Sequence, residues 1–356
     1  MNFARFFKLN PITKKRIRRF RKIKRGYFSL LILVFLTVLS LFSNFIANNR
    51  AIIVKYKGTY FFPTFKFYSK KTFGQTDEWG FDDTEADYRA LNKEFKGTEN
   101  MVLMPPVPFN PYENDFDYYT NPPPNSPDKR HILGTDSQGR DVLARILYGF
   151  RVSILFSLFL VFISQVIGTI IGSLQGYLAG KFDIFTQRAI EVWGTLPFLY
   201  IVIIMATFFT PSFGLLLFLM SLFWWMRITY YMRTEMYREK TREYCLAARS
   251  YGASHARIVF KHLLPNCLTP LVTFTPFAVV GAIGALTGLD YLGYGLPPPT
   301  PSWGEMIDQA LQIQNRDKIW LTIAPFAAIS TTLILVTLVG EAVREAFDPK
   351  QYAKYK

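Results

Sequence analysis

A chain of 356 residues with 50% hydrophobic content, 17% aromatic content and a formal charge of +15 holds enough apolar mass for one large domain or two modest ones. Its mean hydropathy is only slightly positive, yet the apolar residues gather into uncharged runs of the roughly 20 residues that cross a bilayer, so it reads as a polytopic membrane protein. The positive charge sits beside those runs, as on cytoplasmic flanks, which removes the case for nucleic acid, and Cys245 and Cys267 suggest neither a disulfide nor a metal site.

Residues 1–26 form a basic arm, from Arg5 and Lys8 through Lys14, Lys15, Arg16, Arg18, Arg19, Arg21, Lys22, Lys24 and Arg25, with no acidic residue. Because the arm leads directly into an apolar run, attraction to anionic headgroups and retention in the cytoplasm explain it. Residues 27–47 are uncharged and predict a first transmembrane helix. A cleaved signal peptide would have a shorter apolar region and a small-x-small site, where Ser43-Asn44-Phe45-Ile46-Ala47-Asn48 stands instead. Residues 48–130 are then expected outside as a small insert. It would carry a short hairpin within Val54–Lys70 and a short helix over Glu85–Lys96, before prolines from Pro105 to Pro127 break regular structure. Contact with a soluble partner or adjacent subunit and a passive cap over a channel mouth are equally compatible with the insert.

His131-Ile132-Leu133-Gly134-Thr135-Asp136-Ser137-Gln138-Gly139-Arg140-Asp141 follows, ahead of Val142, Leu143, Ile146 and Leu147. Asp136 is placed to cap a short helix lying in the membrane interface. A phosphate loop is excluded, because Arg140 and Asp141 stand where Lys and Ser/Thr would bind phosphate and magnesium. Further spans are expected near residues 153–177, 190–210, 214–231, 267–289 and 319–340. Gly168, Gly172 and Gly176 have the spacing of close helix contacts, while Gln165 and Gln175 are suited to cementing helices. Lys181, Asp183 and Arg188 mark a short cytoplasmic turn, Arg188 can pair with Glu191, and Pro211–Gly214 marks an external turn. Arg227 and Arg233 mark the return to the cytoplasm.

The polar stretch 233–266 lies between two apolar runs and reads as two short helices meeting at a glycine. Tyr244–Ser250 contains good helix formers, Gly252 can end a helix in the left-handed conformation, Ser254 can cap the next, and Pro265 would close it. Ala247, Ala248, Gly252 and Ala253 leave little bulk around the bend, so another protein's backbone can approach closely. A basic loop that only sets orientation is the plainer alternative.

Glu243, Ala247, Ala248, Gly252 and Leu264-Pro265-Asn266 resemble the "EAA" loop of permease subunits in ABC importers, a loop that docks into a groove on the cytoplasmic ATPase. His131, Gly134, Thr135, Asp136, Gly139, Arg140 and Asp141 resemble, independently, the signature ahead of the second span in the dipeptide, oligopeptide and nickel branch of these permeases. Tyr291–Gly295, Ser302–Met306 and Gly340–Pro349 are similar to three further motifs of that branch, the first departing by placing Tyr291 at its first aromatic. The insert and Asn110–Asp115 look most like the Yej-type oligopeptide and microcin C permeases.

The resemblance implies an all-α polytopic protein of the type I importer permease fold, with six transmembrane helices and a small external insert between the first two. It implies a permease core over 131–349, a cytoplasmic tail over 350–356, and both termini in the cytoplasm at a bacterial inner membrane. Glu243, Ala247, Ala248, Arg249, Gly252, Ala253, Ser254, Pro265 and Asn266 are the expected ATPase-coupling residues. The implied partners are a second permease subunit in a heterodimer, ABC ATPase subunits and a periplasmic solute-binding protein. No cofactor or metal is expected on this chain, with ATP and magnesium on the partner ATPase.

The residues agree that energy must come from elsewhere. The one Gly-Lys pair, Gly180-Lys181, precedes Phe182 and makes no nucleotide loop, and no ladder of carboxylates runs through the spans as an ion-driven carrier needs. The expected function is alternating access driven by a separate ATPase, moving oligopeptides or peptide-like compounds. Alternatives are another substrate of the branch, such as a dipeptide or nickel chelate, and a self-contained ion-coupled carrier. An intramembrane enzyme would need facing His, Asp, Glu, Ser or Lys groups that the spans do not supply.

Overall fold

The computed structural model describes residues 11–76, 83–116 and 121–348, so the first ten residues of the basic arm, Pro349 and the 350–356 tail lie outside the described residues. The chain divides into two compact units. One takes the stretches up to Val34, Ser153–Pro297 and from Ser330 onward; the other takes Phe35–Val152 and Pro298–Ile329.

In the first unit, α1 (Pro11–Lys22) continues the basic arm, and α2 (Lys24–Leu41) carries the first apolar run, beginning three residues before the expected boundary and ending six short of it. Among the described residues five helices are long and apolar enough to cross a membrane: α2, α4 (Val142–Leu178), α7 (Phe213–Lys240), α11 (Thr269–Tyr291) and α13 (Ile319–Phe347). A sixth candidate is a bent pair, α5 (Gly180–Gly194) and α6 (Phe198–Phe208), which passes the same test when taken together and is turned by 66° at the break before Phe198. The stretch around Lys181, Asp183 and Arg188 is therefore the first half of that pair and not a turn, because its fifteen residues bond their backbone groups within a helix. Arg188 does pair with Glu191, at 2.6 Å.

Gly168, Gly172 and Gly176 fix the contact between α4 and α7. A Cβ at Gly168 would fall 1.8 Å from Ile228 Cγ2, one at Gly172 2.5 Å from the Thr229 carbonyl, and one at Gly176 2.5 Å from Met236 Cβ. Gln165 donates to Thr275 Oγ1 at 2.7 Å, cementing α4 to α11. Gln175 does not bridge helices: it is fully buried, and neither of its amide atoms has a hydrogen-bond partner among the described residues. Gly26 of α2 lies so close to α13 that a Cβ would meet Ala342 Cβ at 2.0 Å.

In the second unit a hairpin forms where expected. β1 (Ile53–Tyr56) pairs antiparallel with β2 (Thr59–Phe61), Val54 facing Phe61 and Tyr56 facing Thr59. Lys57 and Gly58 both take positive φ, 49° and 79°, the backbone that a two-residue type I′ turn requires. A third strand, β3 (Met101–Leu103), joins the other edge of β1, giving the order β2-β1-β3. Sequence reading missed it because three residues beside prolines carry no period of their own. The short helix α3 (Tyr88–Glu94) is capped by Asp87, which accepts from the Arg89 and Ala90 amides. Ala51, Val54, Phe73, Ala86, Tyr88 and Leu91 form the insert's core, so this segment has a folded centre of its own.

Candidate functional site

Residues 131–141 form no short interfacial helix. They make a compact loop in which Gly134 and Gly139 take φ of 74° and 78°, and helix α4 starts directly at Val142. Asp136 does not cap it. Its carboxylate accepts from the Gln138 and Arg140 amides, at 2.9 and 3.0 Å, and from Arg140 Nε at 2.7 Å, whereas Asp141 accepts from the Ala144 amide at 2.7 Å and caps α4. Two glycines inside the loop turn the chain back before the helix can begin, so the last acidic residue takes the capping role.

This loop interlocks with α12 (Trp303–Leu311), the helix built from the Ser-Trp-Gly-x-Met motif. Arg140 Nη2 reaches Glu305 Oε1 at 2.9 Å, and Arg145, one turn into α4, pairs with the other oxygen of Glu305. Ser137 donates to Gln309 at 2.8 Å, and Gln309 donates to Glu305 at 2.8 Å. The Trp303 indole lies against Gly149, where a Cβ would be 2.9 Å from the ring, and donates to the Ile146 carbonyl. Thr135 accepts from the Asn125 amide through its hydroxyl and from Trp320 through its carbonyl.

His131 is fully buried between two carboxylates, with Nδ1 2.8 Å from Asp141 and Nε2 3.1 Å from Asp115, which also takes Arg130 at 2.6 Å. Burial works against the imidazolium, but the hydrogen bonds it donates to Asp141 and Asp115 outweigh that and hold the His131 pKa above its ordinary value. Burial likewise opposes the Asp115 carboxylate, and the bonds from Arg130 and His131 more than offset that, leaving its pKa lowered. The seven signature residues are thus brought together by packing, with their charges paired. The arrangement is a clamp that ties the start of α4 to α12. Arg145, Glu305 and Asp115 belong to it and were missed. Glu305 occupies the variable position of its motif, Asp115 ends the Asn110–Asp115 stretch without a role assigned to it, and Arg145 lies outside every motif.

The 233–266 stretch is built differently. α7 runs to Lys240, and α8 (Glu243–Ser250) follows after Thr241-Arg242. Gly252 takes φ of 74°, its amide bonding to the Arg249 carbonyl while the Ala253 amide bonds to Ala248, a left-handed helix end. Ser254 Oγ then accepts from the Arg257 amide and starts α9 (His255–Arg257). Pro265 does not close this second helix. The chain passes through a π-helical stretch, Ile258–Leu263, into α10 (Leu264–Cys267), with Pro265 in the first turn of α10. The wider π turn removes the clash that a proline ring makes with the carbonyl four residues earlier, so the chain continues into α11.

The bend stands on a buried base of Met232, Met236, Cys245, Ile258, Leu263 and Cys267. Tyr244 donates to Glu239 at 2.8 Å; burial and that carboxylate push its pKa up to about 12, so the phenol keeps its proton. Asn266 donates to the His262 carbonyl at 2.9 Å, and Tyr177 lies 2.5 Å from His255 Nδ1. Above this base Glu243, Ala247, Arg249, Gly252 and Ser254 are exposed, while Ala248 and Ala253 are half-buried. A Cβ on Gly252 would meet nothing within 4 Å, so small size there clears space outside the chain and not within it. Tyr251 is 91% exposed and Leu246 50%, two apolar contacts at the bend that the small-residue pattern did not reveal. Both cysteines are free and buried.

The exposed bend and its packed base thus accompany helices long and apolar enough to cross a membrane. The family model described as "Binding-protein-dependent transport system inner membrane component" matches residues 168–351, and the chain belongs to this family of ABC importer permeases, a membrane subunit and not an enzyme. It is 40% identical over 346 residues to the inner membrane ABC transporter permease protein YejE of Escherichia coli K12, covering 97% of this chain and 99% of that one. It is 37% identical to the peptidoglycan transport system permease protein YejE of Agrobacterium fabrum, over 96% of this chain and 94% of the relative. With the dipeptide transport system permease protein DppC of Haemophilus influenzae the identity is 33%, over 70% of this chain and 85% of the relative.

Proposed function

We propose that this chain is the gate of a Yej-type importer for peptides or peptide-bearing compounds, moved by a separate ATPase that docks on the bend at Gly252. The relatives' names cover dipeptide and peptidoglycan transport, and a short peptide is the chemistry those two share. Microcin C, a peptide-nucleotide, falls in the same class. One observation carries the coupling role: Tyr251, Gly252 and Ala247 stand exposed at a left-handed helix end whose base is fully buried. Such a bend passes displacement to α7 and α11 as a rigid piece, where a loose loop would absorb it.

The 48–130 insert and the 131–141 loop are placed outside, and both termini in the cytoplasm. With the bent pair counted as one span the six crossings put the two ends on one side, and the packing of Gly26 against Ala342 supports this. The charge bias of the short loops chooses the cytoplasm. A second, different permease subunit, a solute-binding protein outside and ATP with magnesium on the ATPase complete the machine.

The test is import of a labelled tripeptide by the co-purified complex in proteoliposomes. Gly252→Asp keeps a residue that tolerates the left-handed conformation but sets a charge on the docking face. The complex should assemble and hydrolyse ATP while import falls at least tenfold, and Gly252→Asn should fall far less. Normal import by Gly252→Asp would end the coupling role of the bend.

A further inference from the structure

A cavity of about 420 Å³ opens within the first unit among α4, α5–α6, α7 and α11, in the size range of small-ligand sites. Its wall is largely aromatic, including Phe223, Trp224 and Tyr231, the last stacked on Phe274 with ring centroids 4.3 Å apart. Into this wall project Arg227, Ser164 and Gln165. Arg227 carries the one formal charge among the described lining residues, and it makes no ion pair or hydrogen bond with any described residue. It lies 14 residues into α7, about 21 Å along the helix axis, well inside the length that spans a bilayer. Ser164 is 4% exposed, and its hydroxyl has no hydrogen-bond partner among the described residues. Gln165 uses one amide N–H on Thr275 and keeps its other polar positions.

Arg227 is exposed, so its guanidinium is open to a ligand that enters the cavity, and the buried Ser164 hydroxyl without a partner is costly. That cost falls, and the open charge is answered, if an anion with hydrogen-bond acceptors enters the cavity. A carboxylate has the right charge, and no acidic side chain lines the cavity to repel it. The aromatic wall accepts apolar side chains of varied shape, since it offers area without directional demands.

We propose that Arg227, with the Ser164 hydroxyl and the Gln165 amide, receives a carboxylate of the peptide in transit and serves as its counter-charge inside the membrane. This rests on the peptide-importer reading. Arg227, which the sequence reads as marking the return to the cytoplasm, lies thirteen residues before the end of α7 at Lys240 and lines the cavity.

The experiment compares import of three labelled peptides by the complete complex in proteoliposomes: trialanine, its C-terminal amide, and the amide of Ala-Glu-Ala. Each rate is divided by the wild-type rate for the same peptide, which cancels discrimination by the binding protein. Arg227→Gln should cut trialanine import about tenfold, the loss expected for one charge-assisted hydrogen bond, and change the amide much less. Arg227→Lys should keep an intermediate rate, and Ser164→Ala, which removes an unpartnered group, should lower trialanine import several-fold without loss of assembled complex. If the Ala-Glu-Ala amide restores dependence on Arg227, any carboxylate is accepted; if it does not, the site reads the chain terminus, and either supports the proposal. Equal losses for free and amidated trialanine would make Arg227 a structural charge and overturn it, as would no loss at all. A wild-type complex that imports no peptide would instead remove the peptide reading beneath it.

Discussion

Arg140 and Arg145 are buried against Asp136 and Glu305, while Arg249 and Arg257 of the 243–266 stretch stand exposed on either side of a left-handed bend. Both regions carry family motifs, and both rest on a glycine with positive φ. In the first, the motif residues satisfy one another: Gly134 admits Trp320 and Asn125, and the charges close a network between the start of α4 and α12. In the second, the named residues meet through backbone bonds, Gly252 to Arg249 and Ala253 to Ala248, and a buried base of Met232, Met236, Cys245 and Ile258 lies beneath them. A motif can therefore mark a surface or a clamp, and burial is what tells the two apart.

Breaking the clamp should have the largest effect. Glu305→Ala leaves two buried guanidinium groups short of a carboxylate, and removing one partner of such a set costs about 3–5 kcal/mol. Thermal unfolding of the detergent-solubilised protein should show a marked drop, with less assembled complex in the membrane. A stability equal to wild type would mean the network is idle.

A smaller effect should follow pH. Because the folded His131 pKa is raised, its contribution is present below the unfolded value near 6.5 and is lost as pH rises through the folded value. Asp115 runs the other way: its pKa is lowered, so its contribution holds above the ordinary carboxylate value and fades as pH falls through the folded one. Hydrogen exchange of residues 131–145 should therefore slow on moving from alkaline to mildly acidic pH once intrinsic rates are divided out, and His131→Gln should remove most of that trend. An unchanged trend in the variant would assign it to other groups.

The bend should show the reverse pattern, with function lost and stability kept. Tyr251→Ala removes a side chain that is 91% exposed, so unfolding should move by no more than about 0.5 kcal/mol while peptide import falls several-fold. Import at the wild-type rate would mean that the docked face lies elsewhere.

Much of the bend could be read from the chain because its signals are local. Helix formers before Gly252, a glycine free to take positive φ, and Ser254 as the next cap each act within four residues, and the structure has all three. Pro265 misled because a proline stops an α-helix but not a π-turn, and nothing in the neighbouring residues announces the extra residue. Asp136 misled likewise: Asp136 and Asp141 are both sound caps by type, and the choice between them depended on where the glycine turns brought the chain.

Sequence alone determined the apolar runs, a hairpin within Val54–Lys70, the small residues along α4 and the membership in a permease family, since each follows from residue type at short spacing. Tertiary structure decided which charges would be buried and what would answer them. Arg140 meets Glu305 across 165 positions, and Gly168 meets Ile228 across a helix contact, while the exposed Arg227 pairs with no described acid and lines a cavity. A buried charge is tolerated only through its surroundings, and those are assembled from residues that the order of the chain keeps far apart.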